Sequence, residues 1–256
     1  MAGPKVVVQG VGEIGTSFIL AFAEKMPAVE NVGIDIKPSI ESVFYQKIRE
    51  TLPVFCNIET RHNPVSFSIN PQDAEGADYH FLAVPGKNVE TALKAVLPHL
   101  CQPTAQEDST LIVEIGSIVK PSHVRTQGLL PNGFRLVTCY PLIESRGKGP
   151  LHASAALFEK KHIIMVPEEA NDYLDLLCVR DLLEEMGAIV HEISAKDRDS
   201  ILAETANFKG KKGMTRERYI HERLIKLFGE KPQEKLPKTP VSARRATGEA
   251  AISQLG

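Results

Sequence analysis

Short apolar runs alternate along this chain with segments that carry apolar residues at helical spacing. The runs cover residues 6–9, 32–35, 65–69, 80–84, 111–115 and 136–138, and several are apolar throughout, as buried parallel strands are. The spacing predicts helices between them at 13–25, 41–50, 89–100 and 119–128. This alternation predicts an α/β fold with a doubly wound, Rossmann-type parallel sheet.

The pattern continues and then changes in the last part of the chain. A glycine-rich loop at 145–149 is followed by a strand at 163–166, a helix at 172–186 and a strand at 189–193, which we expect to extend the same sheet. From residue 197 the pattern predicts three helices, at 197–207, 215–227 and 243–255. We therefore place a boundary near Lys196, with a Rossmann-type domain at 1–196 and a short helical region at 197–256. About 60 residues bury little core alone, so we expect this region to pack on the sheet domain or on a second chain, as in a homodimer.

A glycine motif at the end of the first predicted strand marks a candidate binding site. Gly10, Gly12 and Gly15 form Gly-x-Gly-x-x-Gly directly before a predicted helix. In dinucleotide-binding folds the first glycine permits the tight turn, the second lets the backbone approach the pyrophosphate, and the third lets the helix pack on the sheet. Backbone N–H groups of the first helical turn, which includes Glu13 and Ile14, would face the phosphates.

An acidic residue follows at the distance that this motif requires. Asp35 ends the second predicted strand, about 20 residues after the last glycine, where a carboxylate accepts hydrogen bonds from the adenosine ribose. The carboxylate would repel a 2′-phosphate, so we predict NAD rather than NADP as cofactor, with Lys37 nearby weakening that preference. The alternative is a glycine-rich turn beside an unrelated surface Asp.

Composition narrows the class of protein. The chain has 256 residues, 43% hydrophobic and 24% charged, and can bury a full core. A formal net charge of −2 gives no reason to expect nucleic acid or a membrane as partner. The cysteines are scattered, without a Cys-x-x-Cys pair or a histidine at ligand spacing, so we expect reduced thiols and no metal. With neither a signal-peptide pattern nor an apolar stretch of ~18 residues, we expect a cytoplasmic protein.

Further motifs follow the glycine turn in a recognisable order. They are Phe81-Leu82-Ala83-Val84-Pro85, Glu114-Ile115-Gly116-Ser117 with Lys120, the Pro141 turn, Ala156-Leu157-Phe158 before Val166-Pro167, and Glu185-Met186-Gly187-Ala188. Through them, over roughly residues 1–200, the chain resembles the prephenate/arogenate dehydrogenase family of tyrosine biosynthesis. The resemblance implies a Rossmann domain followed by a dimerising helical domain. It also implies NAD(P)-dependent oxidation of a cyclohexadienyl alcohol, in which loss of CO₂ makes an aromatic ring.

The sequence departs from the family pattern at the positions that carry chemistry. The family usually has His-Pro where this chain has Tyr140-Pro141, and that histidine is thought to take a hydrogen bond or proton from the ring hydroxyl. A family Ser-His pair aligns with Ala206-Asn207, and the Gly-Ser-x-Lys element is stretched over residues 116–120. The resemblance places the nicotinamide beside Ala83-Val84-Pro85 and Gly116.

Tyr140 is the first candidate for the proton acceptor. It ends the sixth predicted strand, at the sheet edge where ligands of open α/β folds bind. A phenol has an ordinary pKa of ~10, so it needs a neighbouring cation, for which Lys120, Arg146 and Lys148 are candidates. Alternatively Tyr140 closes a loop with its hydroxyl in water. Ser117 would orient the substrate hydroxyl or, alternatively, cap the following helix.

Other polar residues offer substrate contacts or a substitute base. A carboxylate-bearing substrate needs fixed cations, which predicted loops supply as Arg146, Lys148, Lys209, Lys211 and Lys212. The run at 209–212 is alternatively a solvated face. His152, after the glycine-rich loop, is a substitute base. Two functions remain open: a dehydrogenase acting on a small acidic alcohol, or a dinucleotide-binding protein without redox turnover, which the missing histidines would explain.

Overall fold

One sheet of eight strands organises the described part of the chain. The computed structural model describes residues 3–52, 65–102, 109–116, 128–143, 147–167, 173–205 and 216–229. The strands are β1 Lys5–Gln9, β2 Glu30–Ile34, β3 Val65–Ser68, β4 Tyr79–Leu82, β5 Leu111–Ile115, β6 Arg135–Pro141, β7 His162–Val166 and β8 Ile189–Glu192. The helices are α1 Glu13–Lys25, α2 Glu41–Thr51, α3 Val89–Val96, α4 Tyr173–Glu185, α5 Ala195–Thr205 and α6 Arg216–Gly229.

The strand order confirms the predicted doubly wound architecture. The order is β3-β2-β1-β4-β5-β6-β7-β8, so the chain winds outward in opposite directions from the β1–β4 junction. In open α/β sheets a ligand crevice forms where the winding reverses, beyond the carboxyl ends of the strands. The glycine motif follows β1 at this switch point.

One junction departs from the predicted parallel sheet. β7 runs antiparallel to β6, with Tyr140 opposite Ile164, whereas the other neighbouring strands are parallel. A parallel pair needs a crossover connection, usually a helix. In the described part of the connection from β6 to β7 the chain forms only short 3₁₀ turns, Pro150–His152 and Ala155–Phe158.

The strands bury both faces of the sheet. Along β1, Val6 and Val8 join a core that includes α1, α2 and α4, while Val7 joins the opposite core with α3. This alternation follows from the period of two in a strand. A third apolar cluster lies at the β6–β8 end and is formed by Tyr140, Leu142, Ile164, Val166, Ile193, Ile220 and Leu224.

The helical region at the end of the chain packs on its own sheet. Ile220 and Leu224 of α6 are fully buried in the third cluster, so part of the apolar surface assigned to a dimer contact is covered within one chain. Ile225 of the same helix is 42% exposed. The helix α5 begins at Ala195, so the predicted boundary near Lys196 falls inside its first turn. Residues 119–127 and 243–255 of two predicted helices lie outside the described residues.

Most remaining differences between the predicted and the observed elements lie at the ends of strands and helices. The sixth strand extends from a predicted 136–138 to Arg135–Pro141, and the fourth ends at Leu82 rather than residue 84. In the described residues, no helix combines the length and apolarity needed to cross a membrane.

Candidate functional site

Gly10 makes the turn that leaves β1. Its φ is +97°, and a Cβ at this position would lie 2.6 Å from the carbonyl oxygen of Ala83. The backbone N–H of Gly10 donates to the Ile34 carbonyl at 2.8 Å, and that of Ala83 donates to the Gln9 carbonyl at 2.8 Å. The turn is therefore held between the ends of β2 and β4, in a conformation that only glycine adopts without strain.

Gly12 and Gly15 occupy the two other positions of the glycine motif. A Cβ at Gly15 would lie 2.0 Å from the Gly10 carbonyl oxygen, so a side chain there would push α1 off the turn. A Cβ at Gly12 meets nothing within 4 Å. Gly12 is also the N-cap of α1, without a side-chain capping bond, and the helical bonding starts with the Thr16 N–H on the Gly12 carbonyl. The helix thus presents its amino end to open space, where an anion would be favoured.

Asp35 lies beside this turn. One carboxylate oxygen accepts the backbone N–H of Val11 at 3.0 Å, and the other accepts that of Lys37 at 3.0 Å. Each carboxylate oxygen has a second lone pair available to a ribose hydroxyl. The side chain is half-buried, while Lys37 is exposed. The open Gly12 position, the helix amino end and this carboxylate together fit an adenine dinucleotide.

The other predicted cofactor residues line the same edge of the sheet. Ala83, Val84 and Pro85 follow β4 and are half-buried or exposed. Gly116 follows β5 and donates its N–H to the Cys139 carbonyl at 2.9 Å. Because the carboxyl ends of β1, β4 and β5 are adjacent, these residues and the glycine turn lie along one edge of the sheet, where ligands of open α/β folds bind.

Glu13 contributes to this edge in a different way from its neighbours. Its side chain is buried and accepts the backbone N–H of Gly147 at 3.4 Å. One turn further along α1, the Ser17 hydroxyl donates to the Glu13 carbonyl and accepts the Ser154 N–H at 3.0 Å. The carboxylate thus ties the loop after β6 to the glycine turn.

His152 and Lys148 both lie on this loop. A Cβ at Gly147 would be 2.5 Å from Nε2 of His152, so the imidazole packs directly against the glycine backbone. Both His152 and Lys148 are exposed. The remaining predicted catalytic and substrate residues lie outside the described residues: Ser117, Lys120, Arg146, Lys209, Lys211 and Lys212.

The burial of Tyr140 corrects one of the two interpretations of its sequence position. Tyr140 is 0% exposed, so its hydroxyl does not lie in water. The strand β6 continues to Pro141, and Tyr140 lies in the third cluster with residues of α5 and α6. The ring still borders the predicted nicotinamide site, since a Cβ at Gly116 would be 3.1 Å from its Cε1 and 3.6 Å from Oε1 of buried Glu114.

Arg198 supplies a cation for Tyr140 that sequence reasoning missed. Its guanidinium pairs with Asp199 at 2.9 Å and lies close enough to Tyr140 for the phenol to affect its pKa. Burial lowers the pKa of Arg198, but the hydrogen bond to Asp199 and the charge of Tyr140 outweigh it, so the pKa is raised. The available signal was the helical spacing of Ala195, Arg198 and Ile201, which puts the arginine on the face that packs on the third cluster.

We find no candidate metal site among the described residues. There, no group of three or more His, Cys, Asp and Glu side chains could hold a metal ion. His162 and His191 do lie 2.7 Å apart between ring nitrogens, with stacked rings, but as a pair.

Comparison with known proteins agrees with this geometry. The model of the prephenate dehydrogenase nucleotide-binding domain matches residues 59–192. The cyclohexadienyl dehydrogenase of Zymomonas mobilis is 30% identical over 138 residues, which are 53% of this chain and 44% of that protein. The chain thus spans less than half the length of this curated relative.

Solved structures with the same fold include an arogenate dehydrogenase and a prephenate dehydrogenase. The arogenate dehydrogenase of Synechocystis superposes with a TM-score of 0.60 at 18% identity, over 86% of this chain and 74% of that one. The prephenate dehydrogenase of A. aeolicus, in complex with hydroxyphenyl propionate and NAD+, superposes with a TM-score of 0.60 at 16% identity. The match covers 99% of this chain and 86% of that one. At these identities the structures show the fold, while the domain model covers more than half of the sequence. The chain therefore belongs to the prephenate dehydrogenase family.

Proposed function

We propose that this protein binds NAD and oxidises a small, carboxylate-bearing cyclic alcohol of the cyclohexadienyl type. The observation that carries the proposal is the glycine turn: it is closed by Gly10 and Gly15 but leaves the Gly12 position open at the amino end of α1. The relatives named above, which are dehydrogenases of such alcohols, support the substrate class. NAD, when bound, supplies the two-electron oxidant for the alcohol carbon.

Asp35 favours NAD over NADP in this proposal. Its two oxygens are fixed by backbone N–H groups of the glycine turn and of the loop after β2, so the charge cannot swing away from a bound ribose. A 2′-phosphate would have to approach this carboxylate closely, which like-charge repulsion opposes. We therefore propose NAD as the working cofactor.

Tyr140 is the proposed proton acceptor for the substrate hydroxyl. It takes the position of the family histidine, its ring borders Gly116, and the buried cation Arg198 lies nearby. Exposed Lys148, together with Arg146, Lys209 and Lys212 from the sequence, would hold the substrate carboxylate. Ser117 and Lys120 would complete the polar surroundings of the hydroxyl.

A second function is favoured by one observation. The complete burial of Tyr140 fits a protein that binds the dinucleotide without oxidising anything, as a sensor or a degenerate homologue. Both functions require NAD to bind. They differ in whether a substrate hydroxyl reaches the phenol.

Two measurements separate these functions. Calorimetry with NAD tests the binding that they share, and NADH absorbance with prephenate, arogenate or related hydroxy acids tests turnover. We expect Tyr140→Phe to lower kcat by about 10²–10⁴-fold with the Kd for NAD unchanged, because one positioned acid–base group contributes that much. Tyr79→Phe, at another buried tyrosine, is the control and should leave kcat intact. NAD binding without NADH formation on any substrate supports the second function, and absence of NAD binding refutes both.

A further inference from the structure

Two side chains of α1 hold the loop that follows β6. The Ser17 hydroxyl accepts the backbone N–H of Ser154 at 3.0 Å. The Glu13 carboxylate accepts the backbone N–H of Gly147 at 3.4 Å. Residues 13 and 17 are one helical turn apart, so both side chains lie on the same face of the helix. The segment 147–154 is therefore attached at both ends to the helix that begins at the glycine turn.

Ser17 makes the shorter of these two contacts. Its side chain is 0% exposed, and the residues that follow it in α1, 18–23, are all buried and apolar. The hydroxyl donates to the Glu13 carbonyl at 2.7 Å, as serine hydroxyls within helices often do, so its oxygen accepts from outside the helix. A loop N–H that faces a helix needs such an acceptor. The buried hydroxyl thus gives the Ser154 N–H its hydrogen bond.

The exposed part of the loop lies between the two contacts. Lys148, Leu151 and His152 are exposed, whereas Ala153 is buried in the core that includes α1. The His152 imidazole packs on the Gly147 backbone. The cation and the imidazole that the sequence predicts for the substrate side therefore both lie between the attachments of the loop to α1.

We infer that Ser17 is a positioning residue for the substrate: through Ser154 it holds Lys148 and His152 in place relative to the glycine turn. This inference rests on the proposed function, in which Lys148 contributes to holding the substrate carboxylate. A displaced loop would weaken substrate binding in the ground state and the transition state alike, which raises KM. The glycine turn itself is held by its own hydrogen bonds to β2 and β4, so NAD binding should not depend on Ser17.

The first test needs neither substrate nor cofactor. Amide hydrogen exchange, followed by NMR, reports on the Ser154 N–H directly. We expect this amide to exchange slowly in the unmutated chain and about 2- to 12-fold faster in Ser17→Ala, the effect of losing one hydrogen bond. Thr16→Val is the matched control. The Thr16 hydroxyl is equally buried in the same helix but has no hydrogen-bond partner among the described residues, so its removal should leave the exchange unchanged.

The second test uses an alcohol that the unmutated chain oxidises. We expect Ser17→Ala to raise the KM for this alcohol by about 10- to 100-fold, because misplacing a group by about 1 Å costs up to about 10²-fold. The kcat and the Kd for NAD should stay unchanged, and Thr16→Val should keep all three values. A serine that only supports folding would lower thermal stability without separating the KM from the Kd for NAD.

Each outcome decides the inference. Fast exchange of the Ser154 amide in the unmutated chain overturns it, as does unchanged exchange in Ser17→Ala. Faster exchange with an unchanged KM also overturns it and assigns Ser17 a packing role. If Ser17→Ala does not fold, Ser17→Cys carries both tests: a thiol accepts a hydrogen bond only weakly, so exchange and KM should rise by less. No rise in either quantity overturns the inference.

Failure of the inference and failure of the proposed function give different results. If Ser17→Ala exchanges faster at Ser154 but the unmutated chain forms no NADH from any alcohol, the loop attachment stands, while the reaction and the substrate role of Ser17 are removed. NADH formation by the unmutated chain with an unchanged KM in Ser17→Ala keeps the reaction and removes only the role of Ser17.

Discussion

A pair of glycine substitutions separates cofactor binding from folding. Gly12→Ala adds a methyl group that meets no protein atom within 4 Å, at a backbone position with φ −88° that alanine adopts easily. We expect the free energy of unfolding to change by no more than about 0.5 kcal/mol. The same methyl group occupies the space through which a pyrophosphate would approach the backbone. Overpacking costs about 1–3 kcal/mol, so NAD should bind about 5- to 150-fold more weakly.

Gly15→Ala is the matched variant in the same turn. Its Cβ would lie 2.0 Å from the Gly10 carbonyl oxygen, far inside contact distance, so α1 must shift. We expect a loss of about 1–3 kcal/mol in stability, or about 2–4 °C in Tm per kcal/mol for a chain of this size. Thermal unfolding and NAD calorimetry on both variants provide the measurements. Gly12→Ala with unaltered NAD affinity would refute the assignment of the open position to the pyrophosphate.

Other contacts give shorter tests. Asp35→Asn keeps the acceptor for the Val11 N–H but removes the charge. We therefore expect the ratio of the NADP to the NAD dissociation constant to fall toward one. Calorimetry that shows a preference of the unmutated chain for NADP would contradict this. Asp175→Ala leaves half-buried Arg135 without its fully buried partner at 2.8 Å and should cost about 3–5 kcal/mol in urea unfolding. The cost should be about 0.3–0.5 kcal/mol for Glu90→Ala in an exposed pair with Lys94, and equal losses would disprove the ranking. We expect a dimer in analytical ultracentrifugation at micromolar concentration. A monomer would contradict the predicted dimer contact and leave Ile225 exposed to solvent.

The sequence predicted the glycine turn and its surroundings well because the signals there are local. The turn at Gly10, the start of α1 at Glu13 and the position of Asp35 each depend on residues within one β-α-β unit. Gly10 also has a positive φ, which few residues other than glycine adopt. Strand interiors were also predictable, since their apolar runs are nearly continuous. The strand ends were less predictable. The strand β6 continues through polar Tyr140 because pairing with β7 overrides the local sequence pattern there.

The reaction side could not be predicted because its contacts are distant in sequence. Tyr140 meets Arg198 only through the antiparallel turn-back of β7 and the return of α5 over the third cluster. Nothing near Tyr140 in sequence indicates that a cation from residue 198 reaches it. Lys148, a candidate for that cation, is close in sequence but exposed, because the loop after β6 turns toward the glycine turn through the Gly147–Glu13 bond.

A buried histidine below the crevice makes stability depend on pH. His80 Nε2 lies 3.0 Å from Oε1 of Gln9, whose amide nitrogen donates to the Ala92 carbonyl at 3.0 Å. The Gln9 oxygen must therefore accept, which puts the His80 proton on Nε2. Nδ1 is then a bare lone pair, and it has no hydrogen-bond partner among the described residues. A second proton there would be a buried, unpaired charge, and burial lowers the pKa of His80 to about 4.

The sign of the pH effect follows from the direction of that shift. An unfolded chain protonates His80 near its ordinary pKa of 6.5 while the folded chain does not, so stability falls as the pH drops from 6.5 toward 4. The difference amounts to about 3 kcal/mol, at 1.36 kcal/mol per pKa unit. His80→Gln keeps a donor for Gln9 and cannot titrate, so its urea midpoint should fall less over this range. His162 and His191, whose pKa values burial also lowers, contribute equally to both proteins and cancel in the comparison. His99→Gln is the control, and parallel pH curves for His80→Gln and the unmutated chain would show that His80 is protonated in the folded state.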